Sequence, residues 1–202
     1  DKPFFNRALQ GRYPPASTIK PAIGMYGLSN NIVNWDFEMK DPGFFTLPET
    51  GRIFRGWRKG GHGKVNMHKA FLVSSNTYFF SLAYQADINE LSNHLSTLGF
   101  GKKVCLDCFD EDQAFVPTPE WKYSIMNAGW VKGDTVNLGI GQGYLVATPM
   151  QLANYASILA TKGQFIEPSL VALGNQKKSL KTWQDERFDD ADWDKMHQAL
   201  LG

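Results

Sequence analysis

Tyr13-Pro14-Pro15-Ala16-Ser17-Thr18-Ile19-Lys20-Pro21 is the stretch on which the reading of this 202-residue chain turns. Its prolines impose an extended approach, because the ring fixes φ and removes an amide donor. Ser17 or Thr18 can then cap a helix. Ile19, Ile23, Met25, Tyr26 and Leu28 give that helix a broad apolar face up to the Asn30-Asn31 stop. On a helix, residues three apart share a face, with Cβ atoms about 5–6 Å apart. A Lys20 amine placed there reaches the Ser17 hydroxyl and can take its proton, provided the amine is neutral. The helix N-terminus disfavours cations and favours anions, which pushes both groups toward the reactive forms. Read alone, the pattern is a capping serine beside a solvated lysine.

A second element is needed, and two Ser-x-Asn stretches are available. Ser29-Asn30-Asn31 lies 12 residues beyond Ser17 on the same expected helix. At about 1.5 Å per residue that is too far for contact with Ser17. It reads as a helix stop. Ser74-Ser75-Asn76 lies on a different element that could fold back against the first helix. A hydroxyl there could relay a proton to a leaving amine, and an Asn could bind a substrate amide. By itself this stretch reads as a helix-break cap.

Outward from these stretches the chain is mainly helical. Residues 36–65 are broken by Asp41-Pro42-Gly43, Glu49-Thr50-Gly51 and Gly60-Gly61, with room for a hairpin between Phe44–Leu47 and Arg52–Phe54. Helical periodicity returns from Asn66 to Ala86, interrupted at 74–76, and again from Ile88 to Leu98 before Gly99. A short helix is expected near Trp121, after Pro117-Thr118-Pro119. Gly139-Ile140-Gly141-Gln142-Gly143 reads as a loop. Thr148-Pro149 opens a strong helix that runs to Lys162-Gly163, and Asp192–Leu201 begins a last one. Between them, Gly174–Asp190 is polar and reads as a loop or a mobile segment. There is no internal repeat.

Composition narrows the function classes. Apolar residues make up 43% and charged residues 20%, so the chain can bury a core. Twenty-one Lys and Arg against 20 Asp and Glu leave a net charge of +1, with none of the basic excess expected of a nucleic-acid binder. Six Trp, seven Tyr and 14 Phe suggest a cleft or interface beside the ordinary core. No run approaches the roughly 18 apolar residues of a membrane span. The first residue is not Met and Ala199–Gly202 stops within a helical pattern, so both ends read as cut from a longer chain.

Tyr13–Pro21 resembles the active-serine segment of the penicillin-binding transpeptidases, whose superfamily signature is Ser-x-x-Lys, a Ser-x-Asn type element and Lys-Thr-Gly. Asn137–Gly143 followed by Ala147-Thr148-Pro149-Met150-Gln151 resembles a segment of the class B enzymes. Asp41-Pro42-Gly43, Trp57 with Gly61-His62-Gly63, and Gly133-Asp134-Thr135 are similar to the branch that works in lateral wall elongation of rod-shaped bacteria. The resemblance covers about residues 6–170 and implies an α+β transpeptidase fold shared with serine β-lactamases. Residues 1–202 would be a mostly helical part of that domain. Most of the central antiparallel sheet, the N-terminal anchor and the pedestal would lie outside it. By residue, it makes Ser17 the acylated nucleophile and Lys20 its base. Ser74 would be the proton shuttle and Asn76 the group that holds the donor peptide. The implied reaction is D,D-transpeptidation between peptidoglycan stem peptides, with β-lactam antibiotics as donor mimics and with no metal or organic cofactor. The implied setting is the periplasmic side of the bacterial inner membrane, beside a membrane-embedded glycosyltransferase and elongation-complex proteins. The third element is absent, since Lys181-Thr182 is followed by Trp183 and Lys162 directly by Gly163. The isolated chain is therefore expected to be inactive. Two other readings stand beside this one: a β-lactamase or β-lactam sensor, and a catalytically silent scaffold.

Other signals point away from chemistry. Cys105-Leu106-Asp107-Cys108 has redox spacing, but the acidic Phe109–Asp112 run would raise thiol pKa, and the pair reads as structural or incidental rather than catalytic or disulfide-bonded. A metal site in this loop region of some relatives would fall on Asp41, Gly56, His62 and Ser75, of which only Asp41 and His62 can ligate, so no metal is expected. His94 and His197 read as solvated helix residues. Tyr78, Phe79, Phe80 and Tyr84 read as core.

Overall fold

The computed structural model describes residues 4–171 and 180–201. Asn6 caps α1 (Arg7–Gln10), accepting from the Ala8 and Leu9 amides. A 3₁₀ turn (Ala16–Ile19) runs directly into α2 (Lys20–Ser29), every residue of which is buried. No side chain caps this junction: Thr18 Oγ1 instead donates to the Pro15 carbonyl at 2.6 Å. The expected cap at Ser17 or Thr18 is thus not formed, because tight 3₁₀ geometry occupies the turn where a capping side chain would fold back.

The expected hairpin is present, β2 (Phe44–Thr46) against β3 (Ile53–Arg55), with Phe45 opposite Phe54. Flanking it, β1 (Met39–Asp41) pairs antiparallel with β4 (Gly63–Val65), bringing Asp41 opposite Gly63. That pairing was not expected, since three-residue strands carrying Lys40 and Lys64 show no alternation of apolar and polar residues.

Four helices then follow. Asn66 caps α3 (Met67–Leu72), Ser75 caps α4 (Asn76–Gln85), Asp87 caps α5 (Ile88–Thr97) and Thr118 caps α6 (Pro119–Met126). A further short helix, α7 (Lys132–Leu138), had no periodic signal in its Gly- and Asp-containing sequence. α8 (Pro149–Ala160) starts with a reciprocal cap between Thr148 and Gln151. The Gly174–Asp190 loop is corrected in part: residues 174–179 lie outside the described residues, while β6 (Leu180–Thr182) pairs with β5 (Gln164–Ile166). α9 (Asp190–Leu201) closes the order and packs against α3. Among the described residues every sheet has two strands, in keeping with a mostly helical part of an α+β domain.

The core gathers around α2, with Ile19, Ile23 and Met25 fully buried against Phe79 of α4, Leu91 and Leu95 of α5 and Tyr155 of α8. Tyr78, Phe79 and Phe80 are buried as expected, and Tyr84 is half-buried, its ring packed against Phe45 and its hydroxyl donating to Glu49. His94 is a correction. It is buried between Tyr26 and Trp183 with Nε2 3.0 Å from the Ala22 carbonyl, and burial pushes its pKa down to about 4. Its helix face meets α2 rather than solvent. His197 is also held, 2.6 Å from the Leu159 carbonyl. The cysteines are corrected too: Cys105 and Cys108 form a disulfide. Asp107 between them accepts from the Leu170 and Val171 amides, clasping the chain after β5. The acidic run bears on thiol pKa and leaves the geometry of pairing untouched.

Candidate active site

Three elements meet at the N-terminus of α2, two of them consecutive in the chain. The first is the 3₁₀ turn, which presents Ser17 to solvent, and the second is the first turn of α2, which buries Lys20 to 2% exposure. The third is the α3–α4 junction, where Ser74 adopts a left-handed φ of 50° and so swings its side chain toward both. Ala16, just before Ser17, is also left-handed at φ 51°. Its amide donates to the Gly141 carbonyl at 2.9 Å. A side chain at Gly141 would stand 2.2 Å from the Ala16 carbonyl oxygen, so the glycine loop fits this turn only because residue 141 lacks a Cβ.

Lys20 Nζ donates to Ser74 Oγ at 2.9 Å, to the Ser74 carbonyl at 2.8 Å and to Asn76 Oδ1 at 2.7 Å. Ser74 Oγ donates in turn to Ser17 Oγ at 3.2 Å. The four expected residues are therefore together. The expected direct hydrogen bond between Lys20 and Ser17 is not formed, and Ser74 stands between them. The Ser74 hydroxyl, brought in from the α3–α4 junction, takes the bond to each of them in place of a direct one. All three ammonium donors of Lys20 are already committed. Burial lowers the Lys20 pKa to about 8, with the amine 5.5 Å from the centre of the Phe79 ring and no carboxylate among its hydrogen-bond partners. The arrangement can move a proton from Ser17 through Ser74 to Lys20 and back.

Two residues that sequence reasoning noted for other reasons, and did not place at this site, are its neighbours. Trp57 lies exposed beside the site and donates its indole N–H to the Val73 and Ser74 carbonyls at 3.2 Å each. A tryptophan in the turn-rich stretch between Arg55 and Gly63 was the available signal. Asp41 is buried, and it accepts from Ser75 Oγ and the Gly43 amide, both at 2.7 Å. Burial alone would raise its carboxyl. The Ser75 and nearby Thr77 hydroxyls, the Gly43 amide and His62 outweigh that and hold it below the ordinary carboxylate range. The Asp-Pro-Gly turn was its signal.

These contacts also test the metal set. Gly56 offers no ligand and the Ser75 hydroxyl is spent on Asp41, which leaves two ligating side chains, Asp41 and His62, of the four. The residues do not fit a metal centre, and no step is drawn through one. Among the described residues the group of three potential ligands is Cys105, Asp107 and Cys108, whose two sulfurs are bonded to each other.

The penicillin-binding protein transpeptidase domain matches residues 1–201. The chain belongs to that family. Within it the similarity is to class B proteins of the penicillin-binding protein 2 type. It is 41% identical to peptidoglycan D,D-transpeptidase MrdA of Acinetobacter baumannii, over all of this chain and 31% of the relative. Against MrdA of Escherichia coli K12 the identity is 38%, over 84% of this chain and 27% of the relative. Penicillin-binding protein 2 of Pseudomonas aeruginosa, solved in complex with WCK 5153, superposes with a TM-score of 0.86 at 37% identity, covering 98% of this chain and 46% of that one. The chain thus spans about a third of the length of the curated relatives it matches.

Proposed function

We propose that the full-length protein is a peptidoglycan D,D-transpeptidase that forms its acyl-enzyme on Ser17. The observation that carries this is the continuous path Ser17–Ser74–Lys20, ending on an amine whose pKa burial has lowered to about 8. With Lys20 neutral, Ser74 takes the Ser17 proton as it gives its own to Lys20. Ser17 Oγ then attacks the carbonyl of the penultimate D-Ala of a stem peptide. The C–N bond breaks, and the departing D-Ala amine receives a proton back through Ser74. An amine from a second strand attacks the ester, the new amide forms, and Ser17 regains its proton. Splitting the amide exchange in this way replaces one hard step by two easier ones. Asn76 already accepts from Lys20 through Oδ1, which leaves its Nδ2 to donate to the donor peptide.

The same reading extends to partners and location. Penicillin-binding protein 2 of Helicobacter pylori was solved in complex with MreC, with a TM-score of 0.84 at 32% identity, covering 97% of this chain and 35% of that one. That supports elongation-complex proteins as partners, and the reading adds a membrane-embedded glycosyltransferase. The reading sets the domain in the periplasm, carried by a protein anchored in the inner membrane. No described helix is long and apolar enough to cross a membrane.

The test is labelling of the full-length protein with a fluorescent penicillin, followed by peptide mass spectrometry. A single stable adduct on Ser17, lost in Ser17→Ala, is expected. Rapid turnover of the drug would point to a β-lactamase, and no adduct to a silent scaffold.

A further inference from the structure

The Ser74–Asn76 segment faces a demanding geometric task. Ser74 holds a left-handed backbone, which an L-residue keeps only when its surroundings impose it. Its hydroxyl must also stand between Ser17 and Lys20 within hydrogen-bond reach of each. The residue between Ser74 and Asn76 is fully buried and points the other way. Ser75 Oγ accepts from the Tyr78 amide at 3.3 Å, capping α4, and donates to Asp41 Oδ2 at 2.7 Å. Asp41 is in turn locked, because its Oδ1 accepts from the Gly43 amide at 2.7 Å. The turn that carries Gly43 packs so closely on the Gly60-Gly61 segment that a Cβ on Gly43 would lie 2.7 Å from the Gly61 amide. One carboxylate therefore ties the end of β1 to the start of α4.

We propose that Asp41 is a positioning residue for Ser74 and Asn76, acting through the Ser75 hydroxyl and without a metal ion. The positions at which some relatives would place metal ligands are here a buried hydrogen-bonded carboxylate–hydroxyl pair. A charge-assisted bond of this length is stronger than a neutral one and fixes direction as well as distance. The proposal rests on the reading of Ser17 as the acylated residue. Asp41 touches neither substrate nor Ser17, so its loss is felt in the rate of the acylation step while drug binding is spared.

The experiment measures fluorescent-penicillin acylation of the full-length protein, resolving the initial binding constant from the first-order acylation rate. Asp41→Asn keeps the shape but exchanges an acceptor for a donor, and Ser75→Ala removes the hydroxyl. Each is expected to slow the acylation step by about tenfold or more, with initial binding within about twofold and with complete labelling at long times. The double variant should be no slower than the slower single one, because both changes cut the same link. A chelator should leave the wild-type rate unchanged. If Asp41→Asn does not fold, as circular dichroism would show, Ser75→Ala and the chelator carry the test. Unchanged acylation in the folded variants, multiplicative losses in the double variant, or a chelator-sensitive rate restored by zinc would each overturn the proposal. Wild-type protein that is never labelled on Ser17 would overturn the proposed function and this inference together, which separates that failure from the others.

Discussion

At the scale of single residues, the proposed role of Lys20 as the base rests on how hard it is to keep charged where it sits. Its amine is buried with neutral acceptors only, and burial brings its pKa to about 8. A base must be unprotonated to accept a proton, so at pH 7 about a tenth of the molecules are ready. The acylation rate is expected to climb as pH rises from 6 toward 8 and to level off above it. Stopped-flow labelling across that range checks this, and a flat profile would remove Lys20 from the role of base. Lys20→Arg retains the charge but stays protonated at any working pH. The expected loss in acylation is at least about 10²-fold, the usual scale for a positioned base. The same residue explains what spacing alone could not give. Ser-x-x-Lys brought the pair to attention, but a hydroxyl that comes between them from a distant element is invisible in that spacing. Only the fold shows that Ser74 stands between Ser17 and Lys20.

At the scale of elements, apolar periodicity and Pro and Gly breaks made most helices legible, and the structure adds the caps: Asn66, Asp87, Thr118 and Thr148 each precede the helix they cap. What escaped was short. α7 and the strands β1, β4, β5 and β6 are held by long-range partners rather than by local pattern. α7 shows how such an element is fixed. Asp134 accepts from the Val131 amide at 3.0 Å and pairs with Lys122 of α6 at 2.6 Å, both side chains largely buried. Asp134→Ala would leave the Lys122 ammonium buried without its partner. A loss of about 3–5 kcal/mol is expected, the range for breaking one side of a buried pair. Denaturant melts of the full-length protein would measure it. Asp134→Ala combined with Lys122→Met should recover much of the loss, and failure to do so would mean that the packing of the two helices matters more than the charge.

At the scale of the whole molecule, the chain contains two of its family's three active-site motifs. It has no Lys-Thr-Gly or Lys-Ser-Gly, the element that in this superfamily completes the signature. Without a partner for substrate carboxylate and oxyanion, the 202-residue chain taken alone should label with penicillin at least about 10²-fold more slowly than the full-length protein. Its circular dichroism should be dominated by helix. Leu159, Leu200 and Leu201 also line an apolar hollow of about 340 Å³ between α8 and α9, with Leu201 87% exposed. Light scattering is expected to show concentration-dependent association of the isolated chain. Equal labelling rates for the two proteins would show that the helical part suffices for acylation.

The contact between Ala16 and Gly141 bears on the order in which the molecule assembles. Ala16 is held by a loop far along the chain, and Tyr13 exchanges hydrogen bonds with Ala147 in the same region. Closing so long a loop is entropically slow and comes after local helices have formed. During synthesis the ribosome must therefore have passed residue 147 before the turn bearing Ser17 can lock. A nascent chain carries its serine, its lysine and its helix long before it carries a reactive nucleophile. The geometry on which the proposed reactivity depends arrives with the late long-range contacts, as a property of the finished fold.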